Sequence, residues 1–272
     1  MTPSLPSLIK PVTAAQPLRW LRRGWADMLR CGWVSVAHGV AVAAFGALLL
    51  VVARDRFWLL AGAFSGFLVV APVLATGLYA LSRALERNET ADFALLARTW
   101  RRWGEHRRTD PAGYWSLVRF GLLLALAGTG WVMTSAAFVT LYAPLPVNTP
   151  ADFLRHIVIA PNQYVFELWL VLGGLLAAPV FASSVVSIPL LLDRQVSTLQ
   201  AVLISWRVVM ANPLPVAIWA GLLMGLTLVG FATMLLGLAL IIPLLGHASW
   251  HAYRDLVDAD SLALRMAAEE PL

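Results

Sequence analysis

Charge is scarce in this chain. Only 13 % of its 272 residues are Asp, Glu, Lys or Arg, against about a quarter in soluble domains. Cysteine is almost absent. Cys31 stands alone, which excludes an internal disulfide and any CxxC redox or zinc motif. Residues 1–17 hold no apolar h-region, so no cleaved secretory signal is expected and insertion falls to the chain's own helices. No phosphate-cradling glycine loop is present, because the glycines fall within apolar runs. No acidic residue stands at the centre of such a run. Asp55, Asp152, Asp193 and Asp255 lie at run ends or in loops, and Glu167 lies near a boundary. Pumps place a carboxylate at that depth, so the pattern argues against an ion-coupled transporter. It leaves open a substrate path at a helix broken by Pro179 and Pro189. Ser183, Ser184 and Ser187 lack a GxSxG setting and a His–Asp pair.

What is there is apolar. The hydrophobic share is 60 %, gathered in five blocks at about Val34–Ala53, Phe57–Leu81, Ser116–Tyr142, Tyr164–Leu192 and Leu214–Trp250. Runs of this length predict membrane-spanning helices. The last block would make a helix of roughly 55 Å, too long for a ~30 Å hydrocarbon core, so it is expected to fold into two spans turning near Gly230. The connections differ sharply in charge. Lys10, Arg19, Arg22, Arg23 and Arg30, then Arg83, Arg87, Arg98, Arg101, Arg102, Arg107 and Arg108, gather on one side; Arg54, Arg56 and Arg155 fall on the other. The positive-inside rule places the basic side, and the N-terminus, in the cytoplasm.

An internal repeat organises these blocks. "APVLATGLYALSR" places Pro72 eleven residues before Arg83, and "IPLLGHASWHAYR" places Pro243 eleven before Arg254; Pro189 with "LLLDR" is a weaker third copy. An amphipathic segment precedes each copy. In "WLRRGWADMLRCGW", Trp20, Leu21, Trp25, Met28 and Leu29 share a face opposite Arg19, Arg22, Arg23 and Arg30. In "DFALLARTWRRWGEH", Phe93, Leu96, Ala97 and Trp100 oppose Arg98, Arg101 and Arg102. "STLQAVLISWRVVM" opens with the capping pattern Ser197-x-x-Gln200 and aligns Leu199, Val202, Trp206 and Val209. The expected fold is all-α: a polytopic bundle of six spans in three hairpins, each hairpin preceded by a cytoplasmic interfacial helix. Residues 1–16 read as a flexible arm, 17–258 as one transmembrane domain with repeats at 17–88, 89–195 and 196–258, and 259–272 as a tail.

The stretches "WLRRGWADM", "GFLVVAPVLATGLYALSRALERNE", "PLLLDRQVS" and "GHASWHAYRDL" resemble a bacterial family of integral membrane proteins, the domain-of-unknown-function 2189 type. The resemblance runs from about Leu18 to Val257. Some members carry the label of cytochrome c oxidase components, so the resemblance implies an inner-membrane location and an association with a respiratory oxidase. It implies no established chemistry.

Three histidines are the candidate ligands. His247 and His251 are four residues apart and share one helix face; His38 lies near the cytoplasmic end of the first span. Together they form the candidate metal set His38, His247 and His251, for a transition metal or, with His38 supplying the opposite axial position, a haem. Asp255, four residues after His251, is placed to orient that imidazole. Packing or interfacial hydrogen bonding is the plainer use of all three. Gly62-x-x-x-Gly66 and Gly221-x-x-x-Gly225 are spacings that let helices approach closely, within this bundle or against a partner helix. The Arg and Trp residues of the amphipathic segments suit the bilayer and its anionic headgroups. The expected partners are therefore lipid and another membrane protein, with no role for nucleic acid. No catalytic residue stands out.

Overall fold

The computed structural model describes residues 8–52, 74–109, 111–160 and 164–265. Among them the chain is helical, and the extended pairing consists of two isolated bridges, Ile9–Val257 and Arg194–Leu264. The helices are α1 (Gln16–Cys31), α2 (Trp33–Val52), α3 (helical over 74–86), α4 (Phe93–Thr109), α5 (Pro111–Tyr142), the short α6 (Pro150–Phe153), α7 (Val165–Ser184), α8 (Ser187–Asp193), α9 (Thr198–Ala211), α10 (Pro213–Ala232) and α11 (Leu238–Leu256).

Among the described residues, four stretches are long and apolar enough to cross a membrane: Trp33–Val52, Tyr114–Tyr142, Val165–Asp193 and Pro213–Ala232. They match the first, third and fourth expected blocks and the front half of the last. The second block, with Pro72 and the Gly62/Gly66 pair, lies largely outside the described residues. Within Val165–Asp193 the helix is interrupted between Ser184 and Ser187, so the break falls between Pro179 and Pro189 rather than at either.

The Leu214–Trp250 block does divide. The turn occupies the residues after Ala232, a little later than Gly230, which is buried in α10 against Leu238. Met234 and Leu235 adopt positive φ there, at 53° and 70°, a costly conformation for side-chain-bearing residues. Thr233 stitches the turn: its hydroxyl donates to the Gly230 carbonyl at 2.9 Å and accepts from the Gly237 amide at 2.8 Å. The second half, α11, is too polar to count among the four apolar crossings.

The three expected amphipathic segments are helices α1, α4 and α9, and each runs almost directly into an apolar helix. Only Gly32 separates α1 from α2. Its φ of +57° is accessible to glycine without strain. Only Asn212 separates α9 from α10; its side chain accepts the Val12 amide at 2.8 Å. The capping box that opens α9 is complete, with Gln200 N donating to Ser197 Oγ at 3.2 Å and Ser197 N to Gln200 Oε1 at 2.9 Å.

Helix α11 is the centre. Its contacts with α1 and α2 are the most extensive among the helix pairs that do not involve α3, and glycine makes them possible. A Cβ on Gly24 of α1 would sit 2.6 Å from Ala248 N, and one on Gly39 of α2 would sit 2.2 Å from Ala239 O. In the other direction, Gly246 of α11 makes room for Leu78 of α3. These positions carry the close approach expected of small residues. Gly221 and Gly225 do not: open space lies beside both, so this pair does not serve the chain's own packing among the described residues.

Both ends of the described chain are tied to the bundle. Leu8 is buried, Lys10 N donates to Leu256 O at 3.0 Å and Asp258 N to Leu8 O at 2.7 Å. The expected arm of residues 1–16 is therefore docked from Leu8 onward. Of the expected tail, Ala259–Ser261 form a 3-10 turn with Ala259 fully buried.

Gly24→Ala and Gly39→Ala should each lower the thermal stability of the purified protein in detergent, because backbone on α11 cannot give way. Gly221→Ala and Gly225→Ala should be neutral or slightly stabilising, since alanine is worth up to about 1 kcal/mol over glycine in a helix. Equal losses at all four positions would contradict this packing.

Candidate functional site

The three candidate histidines lie at one end of the bundle, where α1, α2, α3 and α11 meet. His247 is fully buried. Its Nε2 faces the hydroxyl of Ser35 on α2, and its Nδ1 lies 2.7 Å from the hydroxyl of Ser82 on α3. The Ser82 hydroxyl donates to Asp27 Oδ2 at 2.7 Å. Its single proton is thus spent, so Ser82 must accept from His247 Nδ1–H. A neutral imidazole then offers Nε2 as acceptor, which Ser35 fills. Donation runs in one direction, from Ser35 through His247 and Ser82 to the Asp27 carboxylate.

His251 joins the same carboxylate, with Nε2 at 2.9 Å from Asp27 Oδ2. The expected partner, Asp255, is engaged elsewhere. It accepts from Gln16 Nε2 at 2.6 Å, from Trp20 Nε1 at 2.8 Å and from Arg23. The reason is helical phase: α1 crosses α11 so that Asp27 meets His251 while Trp20 and Arg23 meet Asp255, one turn further on. Trp20 also packs edge-on against Trp219 of α10, with ring centroids 5.6 Å apart.

His38 is one turn beyond Ser35 on α2. Its Nδ1 donates to the Val34 carbonyl at 3.0 Å, leaving Nε2 as a bare lone pair. That atom is buried and has no hydrogen-bond partner among the described residues. It points at Gly77 of α3, where a Cβ would lie 2.6 Å away. The three histidines are thus brought to one region, each with a different partner. Among the described residues, no three His, Cys, Asp or Glu side chains converge as a metal site. Cys31 is buried, and burial pushes its thiol up to about 12, which keeps it un-ionised and unreactive.

A second polar cluster stands beside the first. Asp193, at the end of α8, has a side chain only 2 % exposed. It accepts from Tyr253 Oη at 2.9 Å, from Arg194 Nε at 2.8 Å and from Arg83 Nη1 at 3.4 Å. Arg194 continues to Asp260 at 2.8 Å, Asp260 to Arg254 at 3.1 Å, and Arg254 to Glu86 at 3.0 Å; Trp250 Nε1 donates to Glu86 at 3.0 Å. Arg83, Arg194 and Arg254, the arginines that close the three similar stretches of sequence, all enter this one network.

Asp27 and Asp193 were not among the candidates from sequence. Asp27 had a signal: it shares a stripe with Trp20, Gly24 and Cys31, all buried, so it is a carboxylate on the apolar face of α1. Asp193 had none, because a residue at the end of an apolar run is usually solvated.

His247→Ala strands the buried Ser35 hydroxyl, while Ser82 keeps its bond to Asp27, and should cost about 1–3 kcal/mol for the unmet group. Asp193→Asn leaves two arginines facing a neutral amide and should cost roughly 3–5 kcal/mol. Both are measured as loss of thermal stability in detergent. Burial pushes the Asp27 carboxyl up, but hydrogen bonds from His251 and Ser82 outweigh it and hold the group below its usual 3.8. Its folded value is depressed, so its contribution is present above about pH 4 and is lost as pH falls through the folded value. Asp27→Asn should therefore flatten the acid limb of the stability profile, and an unchanged limb would contradict the assignment.

A family model described as "Predicted integral membrane protein (DUF2189)" matches residues 59–193. That stretch contains Ser82, Arg83, Glu86 and Asp193. No curated protein and no solved structure matches the chain. Over residues 59–193, about half of its length, the chain belongs to the DUF2189 family of predicted integral membrane proteins.

Proposed function

We propose that this is a non-enzymatic, multi-pass protein of the bacterial inner membrane that acts by contact with another membrane protein. Accessory association with a respiratory oxidase is the concrete form of this reading. The carrying observation is the closed bonding at the buried polar end. His247, Ser35, Ser82 and Asp27 bond to one another in one cluster, and Asp193, Arg83 and Tyr253 in a second beside it; that arrangement stabilises a fold rather than presenting a reactive group. The apolar outer helices supply the contact surface, and the open space beside Gly221 and Gly225 on α10 suits a close-packed partner helix.

The accompanying topology is six spans in three hairpins, with α11 as the last and both termini cytoplasmic. The recurrence of an amphipathic helix before α2, α5 and α10, and the meeting of Arg83, Arg194 and Arg254, support a threefold internal repeat. A reporter fused after Leu272 should behave as cytoplasmic; a periplasmic signal would overturn this topology. For the contact reading, the test is cross-linking in native membranes followed by purification in mild detergent. Oxidase subunits should travel with the wild-type protein and be lost from a Gly221→Leu/Gly225→Leu variant that remains folded. A protein cross-linked to nothing sinks the reading.

The second reading is a histidine-ligated metal or haem. The observation in its favour is the buried lone pair of His38 Nε2. For His247 to join it, the bond to Ser35 must be given up. Protein purified from cells supplied with iron, haem and transition metals should then carry absorbance or metal that His38→Ala removes. A colourless, metal-free protein ends that reading.

A further inference from the structure

Helices α1, α4 and α9 precede the first residues of α2, α5 and α10, and several contacts bring those starts to one end of the bundle. Ser35, two residues into α2, meets His247, midway along α11. Thr198 at the start of α9 donates to the Ser116 carbonyl of α5 at 3.2 Å. Asn212, before α10, accepts from Val12 beside α1. Leu96 of α4 is buried with Cys31 of α1 and with Leu78 and Leu81 of α3.

Each of these helices divides its apolar residues between two faces. In α1, Trp20, Met28 and Cys31 pack inward, while Leu18, Trp25 and Leu29 are exposed. In α4, Leu96 packs inward, while Phe93 and Trp100 are exposed. In α9, Ala201, Ile204 and Val208 pack inward, while Leu199, Leu203, Trp206 and Met210 are exposed. The outward sets share one pattern, a large apolar residue seven positions before a tryptophan: Leu18 and Trp25, Phe93 and Trp100, Leu199 and Trp206. Those tryptophans are 45, 43 and 39 % exposed. A helix with one face docked and a second apolar stripe open needs an apolar medium beside it.

Charge identifies that medium. The arginines at this end form two populations. Arg23, Arg83, Arg194 and Arg254 are held by carboxylates within the fold. Arg22, Arg98, Arg101 and Arg207 make no ion pair among the described residues. Of these, Arg22, Arg98 and Arg101 are exposed and Arg207 is half-buried. Arg22 lies within the outward stripe of α1, between Leu18 and Trp25. Tryptophan beside unpaired arginine, on an amphipathic helix, matches the acyl boundary below a layer of phosphates.

We infer that α1, α4 and α9 form a collar that recognises anionic phospholipid headgroups in one leaflet, with the tryptophans seated at the headgroup level and the unpaired arginines on the phosphates. The collar depends on the shared end of the three helices and not on the accessory reading above.

The test uses the full chain in nanodiscs of phosphatidylcholine, alone or with one third phosphatidylglycerol. Spin-labelled phosphatidylglycerol should associate with the protein several-fold more strongly than spin-labelled phosphatidylcholine. The preference should fall with salt and should collapse in an Arg22→Gln/Arg98→Gln/Arg101→Gln/Arg207→Gln variant of unchanged melting temperature. Lipid brominated near the headgroup should quench Trp25, Trp100 and Trp206, read as quenching lost on Trp→Phe replacement. No preference for the anionic lipid, or a preference that survives the arginine variant, overturns the collar. Tryptophans shielded from brominated lipid overturn it too, and would mark the faces as covered by protein.

Discussion

Helix α11 carries two histidines, a serine, an arginine and an aspartate, and two of its neighbours, α2 and α10, are long and apolar enough to cross a membrane. Hydrocarbon offers such groups no hydrogen bonds, and each would cost several kcal/mol if left bare. The rest of the architecture answers that constraint. Helices α1 and α2 close over α11 at distances only glycine permits, and their Asp27 and Ser35 arrive as bonding partners for the residues they cover. Close approach and polar satisfaction are thus the same contact. Gly24 is one turn before Asp27, and Gly39 one turn after Ser35, so each helix brings a small residue to admit the backbone and a polar one to complete the bonding.

The second network extends this logic to charge. A single buried carboxylate, Asp193, draws together α3, α8 and α11 through Arg83, Arg194 and Tyr253. Buried ion pairs add little net stability, but they are severe about geometry, since a misplaced helix leaves a charge unmatched. Arginine suits the task because its fork reaches two acceptors at once. Arg194 spans Asp193 and Asp260, and Arg254 spans Glu86 and Asp260. The ends of three helices are registered to one another by this sharing, which explains why the most distinctive stretches of sequence meet in space while being far apart along the chain.

Much of this was legible in the sequence, for physical reasons. The amphipathic helices show a 3.6-residue period, and the capping box of α9 is a local pattern that needs no tertiary knowledge. The two-part nature of Leu214–Trp250 follows from membrane thickness alone. What escaped was phase. Trp20 and Trp25 read as one apolar face, yet Trp20 packs inward while Trp25 opens outward, so α1 has two apolar sides where a single period suggests one. Phase also decided the partner of His251. Asp255 is its neighbour in sequence, but the crossing of α1 over α11 delivers Asp27 instead, and crossing geometry has no sequence period. Gly221 and Gly225 show the reverse failure: the spacing was right, but spacing does not say which helix, if any, lies opposite.

The central position of α11 has a consequence for biosynthesis. It follows every other long helix among the described residues, yet it supplies the partners of the first two. Ser35 and His247 are 212 residues apart, an interval of about 10–40 s at a translation rate of roughly 5–20 residues per second. Well before that interval ends, Asp27, Ser35 and Ser82 are all made, while the histidines that bond them are not. The nascent protein must wait with a polar seam open, either to water at the membrane surface or to an insertion factor that shields it. Arrival of α11 closes the seam in a single late event, so folding of this bundle is gated by its final helix rather than built up from its first.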